Sequence, residues 1–265
     1  MKVLIIITSL LFAIAAGAQP TQFHVKNFQD PAILRSLFDT KLVKNNVAIW
    51  EPNFSEAQEF NVSFDGKCHT SLDTVMKFRA DNQEFALLIF ATYGFLSATE
   101  KEDCHACAPD ISLAIFSKDE DGNWIFQRMK KFLMRWGQWG GFDGASLKKI
   151  GDNVYAIAFD GGGSGQGYTD AIVEFFELQS FQNIYTVATH SDNNGVGDDA
   201  ATQYDWDRKV EIIPSKNGKG YYEIVATRSG KGYEKEDDNS SPIVKLAGKE
   251  TYRFDTALYK YVLVK

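Results

Sequence analysis

Cysteine, histidine and clustered basic charge are all scarce in this chain, and each shortage closes off functions. Among 265 residues there are 3 cysteines and 4 histidines. An odd cysteine count permits one disulfide and leaves a thiol over. No cysteine follows the N-terminal apolar run at a lipid-attachment position, so a lipoprotein is not expected. The basic residues never gather: Lys130-Lys131 and Lys148-Lys149 are isolated pairs, and the formal net charge is −7. Binding to nucleic-acid phosphates or to an anionic lipid surface is therefore disfavoured. Past the N-terminus no apolar run reaches about 18 residues, so no membrane span is expected. No long amphipathic helix separates the strand-like segments, which argues against a parallel α/β sheet.

The chain does carry a strong N-terminal signal. Lys2 gives a short basic start, residues 3–16 are almost wholly apolar, and Ala16-Gly17-Ala18 supplies the small residues of a cleavage site. This reads as a secretory signal peptide over residues 1–18, too short to span a bilayer. The expected mature chain starts at Gln19, in a secreted or periplasmic and oxidising setting. Residues 19–265 read as a single β-rich domain. With 44% hydrophobic and 14% aromatic residues they have enough apolar surface for a real core.

Residues 19–46 are the least strand-like part. Asp30 suits an N-cap, Pro31 the first helical position, and Ile33, Leu34, Leu37 and Phe38 fall at helical spacing, so one short helix is expected. From residue 47 on, β-branched and aromatic residues dominate segment after segment (47–50, 74–79, 85–93, 111–117, 124–129, 154–159, 171–178, 184–189, 209–213, 221–227 and 259–264). Turn chemistry joins several of them. Gly122 supplies the positive φ for a tight hairpin after Asp119, and 151–153 and 217–220 do similar work. The segments fall into three meander groups starting near Phe85, Leu147 and Tyr204, with no strict internal repeat. The expected fold is all-β: antiparallel meander sheets, arranged as a small propeller or a β-sandwich, with one short N-terminal helix.

Three readings compete for the cysteines. Cys104 and Cys107 form Cys104-His105-Ala106-Cys107, and Cys68 precedes His69. In an exported chain the first reading is a disulfide, either within the Cys-x-x-Cys pair or from one of its members to Cys68. The second is a metal site, zinc or copper(I), drawing on Cys68, His69, Cys104, His105 and Cys107. The third is thiol redox chemistry, which ordinarily uses a helix N-terminus that this segment lacks. Position 108 is Ala, so the haem-attachment motif is absent.

Two loops add further candidates. Residues 192–199 concentrate oxygen ligands among glycines, and Asp192, Asn194 and Asp198 could serve calcium, without the terminal Glu of an EF-hand. The glycine-rich run 161–167 lacks the Gly-Lys-Ser/Thr of a phosphate loop and precedes a strand; within it Gly165-Gln166-Gly167 reads as a tight turn or bulge where backbones approach closely. Ser164 does not stand in a Gly-x-Ser-x-Gly elbow. His24, His69, His105 and His190 have no sequence link to a nucleophile, and no catalytic residue is assigned. A carboxylate pair for glycoside hydrolysis cannot be placed among the many Asp and Glu. Trp136, Trp139 and Phe142 form an aromatic, glycine-spaced segment. If exposed, Trp136 and Trp139 would stack on sugar rings or on a partner's apolar surface, with Tyr168 beside them; if buried, the segment is core at a sheet corner.

Cys104-His-Ala-Cys107 before a strand, Gly165-Gln-Gly-Tyr168 before another, Asp192-Asn-Asn-Gly195, and Tyr252-Arg-Phe-Asp255 with Tyr259 occur in this order over residues 85–262. In this the chain resembles a family of uncharacterised exported bacterial proteins. The resemblance implies an exported, single-domain, β-rich protein and no particular activity. Three Asn-x-Ser sequons, at Asn53, Asn61 and Asn239, would matter only in a eukaryotic source. The expectation drawn from all of this is a non-enzymatic binding or accessory module for a protein, glycan or small-molecule ligand. The alternative is a metal-dependent exported protein, such as a hydrolase, using calcium or zinc.

Overall fold

A computed structural model describes residues 23–52, 62–63, 65–196, 202–214, 220–234 and 241–264. The signal peptide 1–18, the sequons at Asn53, Asn61 and Asn239, and Asp198 lie outside the described residues. The chain opens with β1 (His24–Val25), α1 (Pro31–Leu37), β2 (Val43–Lys44) and β3 (Val47–Trp50). Long hairpins follow: β4 (Cys68–Ala80), β5 (Gln83–Tyr93), β6 (Asp110–Lys118) and β7 (Trp124–Arg135). The second half runs through β8 (Ser146–Gly151), β9 (Val154–Gly165), β10 (Tyr168–Glu177), β11 (Asn183–Asp192), β12 (Asp205–Ile213), β13 (Glu223–Tyr233), β14 (Ile243–Asp255) and β15 (Lys260–Leu263).

These strands form two antiparallel sheets. The first has 7 strands in the order β1-β7-β6-β5-β4-β3-β2, and the second has 8 in the order β15 to β8, an unbroken meander. The all-β class and the single short helix are as the sequence indicates. The helix starts where expected: the Asp30 side chain accepts from the Ala32 N–H at 2.8 Å, and Pro31 opens the first turn. Its apolar stripe, Ile33, Leu34 and Leu37, is buried.

Three cores explain why the central strands are apolar on both faces. Ala86, Leu88 and Phe90 of β5 point toward α1, Phe38 and Trp50. The alternate residues Leu87, Ile89 and Ala91 join Ile111, Leu113 and Ile115 of β6 and meet Ile157, Phe159 and Phe176 of the second sheet. The two sheets therefore share a core, which is the sandwich arrangement of the two left open by the sequence. On the other side of β9, Ala156 and Ala158 face Val173, Phe175, Tyr185, Ile224 and Tyr261. That third core exists because the second sheet curls on itself. Tyr222 N–H donates to the Ile150 carbonyl at 2.7 Å and the Tyr261 hydroxyl donates to the Tyr222 carbonyl at 2.9 Å, tying β8 to the segment before β13.

The curl is sharpest between β11 and β12. Only three pairs join them, His190↔Asp207, Ser191↔Trp206 and Asp192↔Asp205. Beyond these the strands diverge, and Arg208 Nη1 donates to the Ala188 carbonyl at 2.8 Å where the ladder stops. The turns obey the expected chemistry. Asp81-Asn82 and Asn45-Asn46 have positive φ at both positions, and Gly122 takes φ +83°.

Candidate functional site

A meander puts its connections alternately at two ends, and here the two ends differ. At one end lie short turns: Asp81–Asn82, residues 119–123, Asp152–Asn153 and residues 178–182. At the other lie the long β5–β6 loop (94–109), the β7–β8 loop (136–145), the β9–β10 hairpin tip (166–167) and the described parts of the β11–β12 connection (193–196 and 202–204). The Cys104–Cys107, Trp136–Trp139, glycine-rich and Asp192 motifs fall at this second end, whereas Tyr252–Asp255 with Tyr259 lies at the first, where the Tyr259 hydroxyl reaches Glu177.

Backbone contacts fasten these loops to one another. Gly140 N–H donates to the Cys107 carbonyl at 2.6 Å, and Trp136 N–H to the Pro109 carbonyl at 3.1 Å. His105 Nε2 donates to the Ser164 carbonyl at 2.8 Å, joining the cysteine loop to the glycine-rich strand. Gly195 N–H donates to the Gly167 carbonyl at 3.0 Å, joining that strand to the acidic loop. This closeness requires glycine at 167 and leaves little room for a side chain at 161. A Cβ on Gly161 would stand 3.0 Å from the Trp136 ring, and one on Gly167, at φ +87°, would stand 2.5 Å from the Gly195 backbone. The glycine run is thus a site of close backbone approach, as a turn or bulge reading requires.

The aromatic candidates separate. Trp136 is buried against Phe159 and belongs to the core between the sheets. The contact role offered for Trp136 is therefore corrected: its indole is not available to a partner. Trp139 is 59% exposed and Tyr168 42% exposed. The edge of one ring meets the face of the other where Trp139 contacts His105, with centroids 5.1 Å apart. Trp139 also has φ +52°, a left-handed conformation that costs a residue with a Cβ about 1–2 kcal/mol. Leu96 and Val196, both well exposed, lie on neighbouring loops of the same end.

The cysteines divide between two places. Cys104 and Cys107 form a disulfide with Cα atoms 4.9 Å apart. Cys68 is buried in the first core opposite Trp50. His69 lies against Phe95 and 3.2 Å from an Asp65 oxygen, and His105 is held on Ser164. The five Cys/His candidates for zinc are therefore not brought together. Among the described residues no group of three His, Cys, Asp or Glu side chains could hold a metal ion. Of the calcium candidates, the two described, Asp192 and Asn194, are engaged within the protein. Asp192 accepts from His190 Nε2 at 2.9 Å and from Asn194 N–H at 2.9 Å, while the Asn194 amide donates to Asp205 at 3.2 Å.

Sequence reasoning missed His190. Its ring bridges Asp192 and Asp207, with Nδ1 3.0 Å from Asp207, across the short β11–β12 ladder. The hydrogen bond that His190 donates to Asp192 is the largest influence and raises its pKa; burial, next in size, lowers it, and the bond to Asp207 and the charges of both carboxylates raise it further. Asp192 is held below the usual carboxylate range, chiefly by the Asn194 N–H and then by His190. Only the pairing of His190 opposite Asp207 makes the cluster, and nothing in the linear sequence announces that pairing. Glu177 was also missed: fully buried, it accepts from Ser180 N–H and Oγ and from the Tyr259 hydroxyl at 2.9 Å.

Comparison of the chain with protein-family models, with curated proteins and with solved structures found no match. No helix among the described residues is long and apolar enough to cross a membrane.

Proposed function

We propose that this chain is an exported, non-catalytic binding module, and that it engages a protein partner through its loop end with Trp139 as anchor. One observation carries the reading. An exposed indole is held out in a strained left-handed conformation, at the meeting point of loops remote in sequence. Backbone strain of this kind persists where the surrounding structure over-determines it, which is characteristic of functional surfaces. Tryptophan and tyrosine are favoured as binding anchors because each contributes a large rigid apolar face with a polar handle. Leu96, Tyr168 and Val196 are further exposed apolar or aromatic side chains on loops of the same end. That breadth favours a protein surface over a single sugar ring. The disulfide and the His105–Ser164 contact support the reading by stiffening the frame, which lowers the ordering entropy of binding.

The test replaces residue 139 with a photo-crosslinking amino acid in the full chain, in its native cell. The same crosslinking is repeated from a second, buried position as a control. The expected outcome is a discrete adduct from position 139 that the Tyr168→Ala change weakens by about tenfold, or roughly 1.4 kcal/mol. Adducts that are equally diverse from both positions would sink the proposal.

A further inference from the structure

A second site lies at the opposite end, between the sheets, and it is independent of the loop-end reading. There the two sheets are pinned by Tyr155, whose hydroxyl donates to the Arg79 carbonyl at 2.8 Å. The Asn153 amide also bonds to Asp81 across the same seam. Beneath these contacts is a cavity of about 240 Å³. Its walls include Phe78, Phe85, Tyr155 and Ile115; Arg128, Glu177 and Asp81 are its charged members, and Asp81 is bonded to the Asn153 amide. Phe78 stacks on Phe85 at 5.3 Å and tilts against Tyr155 at 4.9 Å, forming a continuous aromatic wall.

Arg128 reaches this cavity from β7. Its Nη2 donates to the Leu178 carbonyl at 2.8 Å, and its Nε–H is buried with no acceptor. Among the described residues no ion pair engages it; its guanidinium lies over the Phe181 ring at 5.7 Å, and its charged neighbour Glu177 is occupied elsewhere. Glu177 Oε2 accepts from Ser180 and Tyr259, and Oε1 accepts from the Tyr221 hydroxyl at 3.3 Å. Burial lowers the Arg128 pKa, and the distant charge of Glu177 offsets this only in part. A half-buried guanidinium with unused donors, beside an aromatic-walled cavity, is matched by a planar anion that carries a ring. An apolar cavity of about 150 Å³ accommodates benzene. The larger volume here has room for one ring and a carboxylate.

We propose that this cavity binds a small monocyclic aromatic carboxylate, its ring against Phe78, Phe85 and Tyr155 and its carboxylate on the Arg128 guanidinium. Benzoate is the probe, with benzamide as the uncharged isostere and acetate as the ringless anion, titrated against the full chain by NMR. Benzoate is expected to bind with a Kd at or below about 1 mM, and both controls at least about tenfold more weakly. Nuclear Overhauser contacts should run from benzoate ring protons to the Phe78 and Tyr155 rings. In Arg128→Gln the benzoate affinity should fall to that of benzamide. The three-ligand comparison on the unmodified chain stands even if that variant does not fold. Equal affinity for benzoate and benzamide, no saturation by benzoate, or contacts mapping elsewhere would each overturn the assignment. Tyr168→Ala should leave benzoate binding unchanged, which separates this site from the loop end.

Discussion

Trp139 joins conformation to function at the scale of one residue. At φ +52° every side chain except glycine's meets its own backbone, so the ring is displayed at an energetic cost. Alanine and glycine at this position both remove the indole and its contact with His105, but only glycine also relieves the strain. Trp139→Gly is therefore expected to be more stable than Trp139→Ala by about 1 kcal/mol, measured by urea denaturation of the two variants side by side. Equal stabilities would show that the left-handed backbone is not enforced by the neighbouring loops. The sequence alone could mark Trp139 as an aromatic among glycines, yet it could not separate it from Trp136. The difference arises because Trp136 N–H is tied to Pro109 and its ring lies on Gly161, whereas Trp139 follows two further residues out along the loop. Such contacts depend on partners 27 and 25 positions away in the chain, beyond the reach of local pattern.

Between elements, the weakest seam of the second sheet is the three-pair ladder of β11 and β12, and His190 sits on it. Its raised pKa means that the folded state holds the imidazolium more tightly than the unfolded chain does. That contribution is fully present below the ordinary histidine value of about 6.5 and is lost as pH rises through the elevated folded value. Asp192 acts in the opposite sense. Its lowered pKa contributes stability above the ordinary carboxylate value of about 3.9, lost as pH falls through the depressed folded value. The pair is thus most stabilising in mildly acidic solution, between those two ordinary values. Because both groups are partly open to solvent, the effect is modest and screened by salt. Thermal melts of the wild type and His190→Gln from about pH 5 to about pH 9 should show the largest gap at the acidic end, narrowing upward. A gap that widens with pH would contradict the bridged imidazolium. Most of the strands were legible, because β-branched and aromatic density marks a strand locally, but the lysine- and glycine-bearing β8 and β14 lack that density and were not marked. Register was not legible: the cross-strand partner of His190 depends on a loop that begins three residues later, and register turns on tertiary closure.

For the whole molecule, the decisive feature is that Leu87, Ile89, Leu113 and Ile115 of the first sheet share one core with Ile157, Phe159 and Phe176 of the second. The three meander groups read from the sequence, starting near Phe85, Leu147 and Tyr204, are corrected to two: β8–β15 run as one unbroken sheet, and the stacking of the two sheets was not legible. A strand buried on one face by α1 and on the other by a second sheet looks in sequence like any apolar run. What the composition did not reveal is also why both candidate sites escaped it. The loop end gathers residues from four connections, and the cavity gathers them from both sheets, so each exists only after the layers meet. The shared core makes a further demand. Two sheets that fold independently would melt separately, whereas sheets that complete each other's core should unfold together. Ile89 is wholly buried in that core, so Ile89→Ala should cost about 2–5 kcal/mol and lower the melting of both halves by the same amount. Calorimetry would check this, with Trp50 and Trp206 fluorescence reporting on the first and second sheets through variants that keep one of them at a time. A single transition, displaced equally for both reporters, is the expected result. If only the Trp50 signal moved, the sheets would be separate folding units, and the cavity between them would be a crevice between domains instead of a part of one core.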